Sequence, residues 1–154
     1  MKKMKIRLML LLSVTALCFT ACHKTPTVKD IAGTYNGYTL ANCAYFQDRC
    51  TDGETLTVEA NEDGTAKVTF KSDSYGEFEI ANAQMTENDG AYLLSGDGQT
   101  QMGMGDNVST YNCSFTATIR SFDDAEMQFK VPAVMGGLTI VFKTGTAPVS
   151  ESSK

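Results

Sequence analysis

The 154-residue chain has no tryptophan and one histidine, His23. Acid–base, triad and zinc chemistry therefore lose their commonest residue. Cations are scarce: 13 Lys and Arg stand against 18 Asp and Glu, and Lys2, Lys3, Lys5 and Arg7 crowd the start. Beyond Arg7 the chain is strongly acidic. That excludes a nucleic-acid surface, because phosphate binding needs clustered Lys and Arg. The apolar run Leu8–Phe19 stops short of the roughly 20 residues a membrane helix takes. Convincing helical spacing is missing throughout. There is no Gly-X-Ser-X-Gly, and Met102-Gly103-Met104-Gly105 has no following helix to make a phosphate cradle. The acids fall in turns (Asp63, Asp73, Asp89, Asp106, Asp123, Asp124) or on strand exteriors (Glu59, Glu77, Glu79), so no carboxylate pair is placed for hydrolysis. The chain reads as non-enzymatic, with no cofactor and no metal.

Period-two alternation is what the chain has in abundance. Met127–Phe142 reads as two strands around Gly136-Gly137, with Met127, Phe129 and Val131 on one parity and Leu138, Ile140 and Phe142 on one parity after the turn. That is a hairpin with one buried face, and a lone hairpin cannot hold itself together in water. Ile31–Leu40 supplies a first strand. Leu56 and Val58 point inward on the next, Glu54–Ala60, and Ala66, Val68 and Phe70 on Thr65–Lys71, across the turn Asn61-Glu62-Asp63-Gly64. Phe78 and Ile80 do the same on Gly76–Gln84. Tyr92, Leu94, Gly96, Gly98, Thr100, Met102 and Met104 share a parity on Ala91–Met104, and Tyr111, Cys113, Phe115, Ala117 and Ile119 on Val108–Ile119. These eight strands are joined by short turns, apart from a longer loop over Ala41–Gly53. They predict an all-β, eight-stranded antiparallel up-and-down barrel, with a two-sheet sandwich as the structural alternative.

The start predicts processing. Four cations, a short apolar core and small residues ahead of a cut make a secretory signal over 1–21. Phe19-Thr20-Ala21-Cys22 resembles the lipobox of bacterial lipoproteins. That resemblance implies that Cys22 becomes the first mature residue and carries the acyl chains, which would hold the protein to a membrane. Residues 22–30 then read as a flexible tether that includes His23, 31–143 as the barrel domain, and 144–154 as a disordered polar tail.

Several phrases resemble the calycin-like β-barrel domain of Gram-negative envelope lipoproteins. They include Gly33-Thr34-Tyr35, Asn61–Thr65, Tyr75-Gly76, Tyr92–Gly96, Met102-Gly103-Met104, Tyr111-Asn112-Cys113 and, most specifically, Val131–Ile140. The resemblance implies a lipocalin-related barrel in the cell envelope, the outer membrane more than the inner, with the face left open. It implies no catalytic residue.

Counting strands up and down puts the loops after strands one, three, five and seven at one end, away from the anchor. That end would carry Tyr45, Phe46, Met102, Met104 and Met135, an apolar mouth. Such a mouth admits two readings: a site for a small hydrophobic or amphipathic ligand, or a plug on a filled barrel that docks a partner protein. Gly96 and Gly98, lacking side chains on the inward parity, would leave space for a guest. Beyond the leader and anchor remain Cys43, Cys50 and Cys113, in a compartment that permits disulfides. Cys43–Cys50 would close a small loop worth at most about 2.5 kcal/mol, and Cys43–Cys113 would pin the long loop for roughly 4 kcal/mol. Cys43–Cys113 is favoured because it ties that loop to the wall it covers; three reduced thiols remain the alternative. Their spacing fits no zinc knuckle.

Overall fold

The computed structural model describes residues 24–149. The expected signal segment 1–21, the expected anchor Cys22 and His23 lie outside the described residues, as does the tail from 150 on. Eight antiparallel strands run in chain order around a closed barrel. They are β1 (Gly33–Asn42), β2 (Arg49–Ala60), β3 (Ala66–Ser72), β4 (Gly76–Asn88), β5 (Ala91–Met104), β6 (Asn107–Ser121), β7 (Asp124–Val131) and β8 (Leu138–Thr144). β8 returns to β1, pairing Tyr38 with Lys143 and Asn42 with Thr139. That closure decides between barrel and sandwich, and it leaves no outer strand of the ring without a neighbour.

The alternation predicted from the sequence holds along most of the wall, but on β5 it fails at the rim, where Met104, expected inward, is 89% exposed. Leu56, Val68, Phe78, Phe115, Phe129 and Ile140 are all fully buried in one cluster. Aromatic rings fill the middle of the bore. Phe129 lies 4.9 Å from both Phe78 and Phe115, centroid to centroid, and Phe70 lies 5.6 Å from Phe78 and from Phe129. Phe142 closes the group at 6.2 Å from Phe70. These spacings are those of tilted and offset rings in contact. Outward positions carry Thr, Lys, Glu and Gln, with cross-strand pairs Lys71–Glu77 at 2.9 Å and Lys143–Glu126 at 3.1 Å.

Three places depart from simple alternation, and all are bulges; one is at Arg120 of β6, between Ile119 opposite Ala125 and Ser121 opposite Asp124. The loop expected over Ala41–Gly53 is shorter, because β2 already begins at Arg49. Between Gly37 opposite Glu54 and Thr39 opposite Thr51, β2 spends one residue more than β1. Asp52-Gly53, which reads as a turn, is that extra residue's site, with Gly53 at φ 68°. In β4 the extra residue falls at Ala81-Asn82, between Ile80 opposite Val68 and Ala83 opposite Ala66. Inward parity therefore passes from Phe78 and Ile80 to Ala83. The bulged backbone leans inward across β5. A Cβ on Gly98 would strike the carbonyl oxygen of Glu79, and one on Gly96 would lie 3.0 Å from Ile80 Cγ2. These glycines admit the neighbouring strand and leave no space for a guest, which corrects the expectation from their parity.

The end where the chain comes in is sealed. A 3₁₀ turn, Val28–Asp30, buries Val28 beside Ile31, so the tether ends before Val28 and not at 30. Tyr35 donates its hydroxyl to the Ile31 carbonyl at 2.6 Å and stacks on Phe122 at 5.1 Å. Burial pushes the Tyr35 phenol up to about 12. At the other boundary, Thr144 still belongs to β8, and Gly145 donates its N–H to the Asn36 carbonyl.

Candidate functional site

Antiparallel order puts the connections 43–48, 73–75, 105–106 and 132–137 at the end opposite Val28, as the strand count predicts. Two of them are laced together. Cys43 N–H donates to the Phe46 carbonyl at 2.9 Å, and Ala44 N–H donates to the Met135 carbonyl at 3.1 Å. Gly136 at φ 71° lets that contact form, since a Cβ there would lie 2.8 Å from Ala44 Cβ. Phe46 is partly buried against the core under the Arg49 guanidinium, 5.3 Å above its ring.

The five apolar residues expected to line a mouth are not gathered around one. Phe46 and Met102 pack down onto the core from opposite sides of the ring. Tyr45 is 80% exposed, Met104 89% and Met135 48%. They stand out from the rim, Tyr45 and Met135 on the laced loops and Met104 at the tip of the β5–β6 hairpin. Concavities of about 380 and 410 Å³ lie elsewhere. One is on the outer wall between Lys71, Glu77, Gln99 and Gln101. The other lies at the sealed end between Pro26, Lys29, Asn61 and Met85.

Under the rim sits a polar cluster that parity reasoning overlooked. Glu54 has the parity of Leu56 and Val58 and points inward, 6% exposed. The Ser72 hydroxyl donates to its carboxylate at 2.7 Å across the β2–β3 pair. Burial pushes the Glu54 carboxyl above its ordinary value, the Ser72 bond opposes that, and the charge of Asp73 adds to it. Tyr75 folds over the cluster, its hydroxyl 3.5 Å from Thr51 Oγ1. Thr39, two residues up β1 from Gly37, points in beside them, and its Oγ1 is buried with no hydrogen-bond partner among the described residues. One carboxylate with hydroxyl neighbours can hold a proton or accept a hydrogen bond. Asp73 is a second acid close enough to act on Glu54 through its charge, and among the described residues no three His, Cys, Asp or Glu gather as metal ligands. The signal in the sequence was the start of Glu54–Ala60 itself, where the acid sits on the apolar parity.

Cys43, Cys50 and Cys113 are free thiols, so the favoured Cys43–Cys113 bridge is not formed. Cys43 follows β1 and Cys113 lies on β6, with β8 and β7 between them. Three strand spacings of roughly 4.8 Å far exceed the ~7 Å Cα separation a disulfide tolerates. Cys113 is a buried core residue, its thiol pushed up to about 11 by burial and by Asp97.

Comparison with known proteins agrees with this architecture. The model of the calycin-like beta-barrel domain family matches residues 31–145. A crystal structure of a "putative outer membrane protein" from Bacteroides fragilis is similar at 35% identity with a TM-score of 0.65. The match covers 80% of this chain and 48% of that one, so this chain corresponds to about half of the neighbour's length. No curated protein matches.

Proposed function

The chain belongs to the calycin-like beta-barrel domain family, and from that premise we propose that it is a membrane-anchored bacterial envelope protein, without catalytic activity, that works by docking a protein through its outer surface and rim. The occupied bore carries this reading. Phe70, Phe78, Phe115, Phe129 and Phe142 are each no more than 1% exposed and touch one another across the centre. A small-molecule site encloses most of its ligand. Tyr45, Met104 and Met135 stand exposed at the rim and suit contact with another surface better than enclosure. The alternative, a small hydrophobic ligand held at Tyr45, Phe46, Met102, Met104 and Met135, would need that rim to close.

Envelope attachment is supported by the Bacteroides neighbour's description and by the barrel's polarity. A membrane-spanning barrel is apolar outside and polar within. Here Lys67, Lys71, Glu77, Glu79 and Glu126 face out and the phenylalanines face in. The wall is unsuited to lipid, so attachment falls to acylated Cys22. Native mass spectrometry of the full chain, purified and then mixed with fatty acids and other amphiphiles, tests the filled-bore reading. The expected spectrum is the protein mass without a stoichiometric guest. A bound small molecule that co-purifies and protects against thermal unfolding would overturn it.

A further inference from the structure

The β5–β6 hairpin outruns its neighbours. β6 pairs with β5 up to Met104 opposite Asn107. Its other neighbour, β7, first meets it at Lys130 opposite Ser114. Above Val131 comes Pro132, which has no N–H and cannot continue a ladder. The chain turns there, and its next bonds go to Val131, Val134 and Ala44, not to β6. Val131, the last residue of β7, falls opposite Cys113 in this register, so Asn107–Asn112 has one edge with no strand beside it. Beyond Gln101, β5 has likewise left β4, and Asn107–Thr110 is exposed on both faces.

An open edge is a template for pairing, and chains ordinarily blunt it with Lys, Pro, a charge or a bulge. The open stretch from Asn107 to Asn112, NVSTYN, carries no charge, proline or glycine. Val108, Thr110 and Tyr111 favour strand. A two-stranded ribbon standing free in water is marginal and gains stability from a third strand.

We propose that this edge pairs with the same edge of a second copy of the chain, β6 to β6, antiparallel about a two-fold axis at Thr110. The inference rests on the surface-docking reading above and names its partner. The segment is self-complementary in this register: Val108 faces Asn112, Ser109 faces Tyr111, and no like charges meet. The rest of the chain is acidic, with 18 Asp and Glu in all, so two copies repel one another except along an uncharged stretch. A basic partner would instead seek an acidic edge. The chain's own termini leave the barrel at the opposite end and do not compete for the site. The Bacteroides neighbour carries about as much chain again beyond the matched part, room for a second unit within one polypeptide.

The full chain in detergent, followed by sedimentation corrected for bound detergent, tests this. Wild type is expected to pass from monomer to dimer with concentration. Thr110→Lys sets two ammonium groups against each other at the axis and should weaken association by at least about tenfold without lowering Tm. In a Cys43→Ser, Cys50→Ser background, which removes the accessible native thiols, Thr110→Cys should give a thiol-reducible dimer in the oxidising envelope, while Thr118→Cys, on the same strand where β7 covers it, should not. A wild type that stays monomeric to roughly 200 µM, well above ordinary dimer affinities, overturns the proposal. So does equal cross-linking at both positions. Either result leaves the docking reading standing with a foreign strand as occupant, whereas a stoichiometric small-molecule guest in the native mass spectrum ends the docking reading itself.

Discussion

Glu54 is the one described acid inside the barrel wall whose position can be read from its parity, and its energetics have a definite sign. Burial raises its carboxyl above the ordinary 4.5, against the Ser72 hydrogen bond and with the help of Asp73. A carboxylic acid with a raised folded value holds its proton more tightly when folded. Its favourable contribution is complete below 4.5 and is lost as pH rises through the raised folded value, leaving a penalty at neutral pH. Glu54→Gln keeps the shape and an acceptor for Ser72 but does not titrate here. Urea unfolding at pH 4 and pH 7 should show the variant gaining on wild type as pH rises. A difference that does not move with pH would mean that Ser72 cancels the burial. Thr39, whose hydroxyl is buried without a partner among the described residues, shows the limit of reading at this scale. Its inward parity is visible in the pattern, but the satisfaction of one oxygen depends on three neighbouring strands.

At the scale of elements, strands were legible because inward Leu, Ile, Val and Phe recur every second residue and every turn carries Gly, Asn or Asp. The bulges were not, because an inserted residue looks like a turn or a strand end. Asp52-Gly53 is a turn dipeptide used inside β2, and Ala81-Asn82 shifts parity with residues that suit either face. The glycines of β5 were misread for the same reason: only the register shows the β4 backbone lying against them. Gly98→Ala would drive a methyl to 2.1 Å from the Glu79 carbonyl oxygen, whereas Gly96→Ala meets Ile80 Cγ2 at 3.0 Å and the Ala83 Cα at 3.1 Å, overlaps that a shift of a few tenths of an ångström relieves. Equilibrium unfolding should show Gly98→Ala losing about 2–3 kcal/mol and Gly96→Ala less, since overpacking costs more the further the backbone must move. Equal losses would mean that the bulge yields to the deeper overlap as readily as to the shallow one. The disulfide failed on topology: three cysteines near one rim look adjacent in the chain's up-and-down count, yet the ring sets β1 and β6 almost opposite each other.

The whole molecule has one closed, aromatic-filled barrel with a charged wall, a sealed end beside the incoming chain and an apolar-tipped rim at the other. Two features could hold it to a membrane: an acylated Cys22, or the rim residues Tyr45, Met104 and Met135. They make different demands. Several acyl chains give stable attachment, while three scattered side chains beside acidic neighbours gain little from an anionic surface. Cys22→Ser in the full chain removes the proposed acylation point, and the first buried residue among those described is Val28. The variant should leave the membrane fraction for the soluble one and keep the wild-type Tm, measured on the purified proteins. If it stays with the membrane, a triple substitution of Tyr45, Met104 and Met135 by Ser separates the two causes. Release only then would assign attachment to the rim, reverse the orientation in which the strand count puts the rim away from the anchor, and turn the surface proposed for protein docking toward lipid.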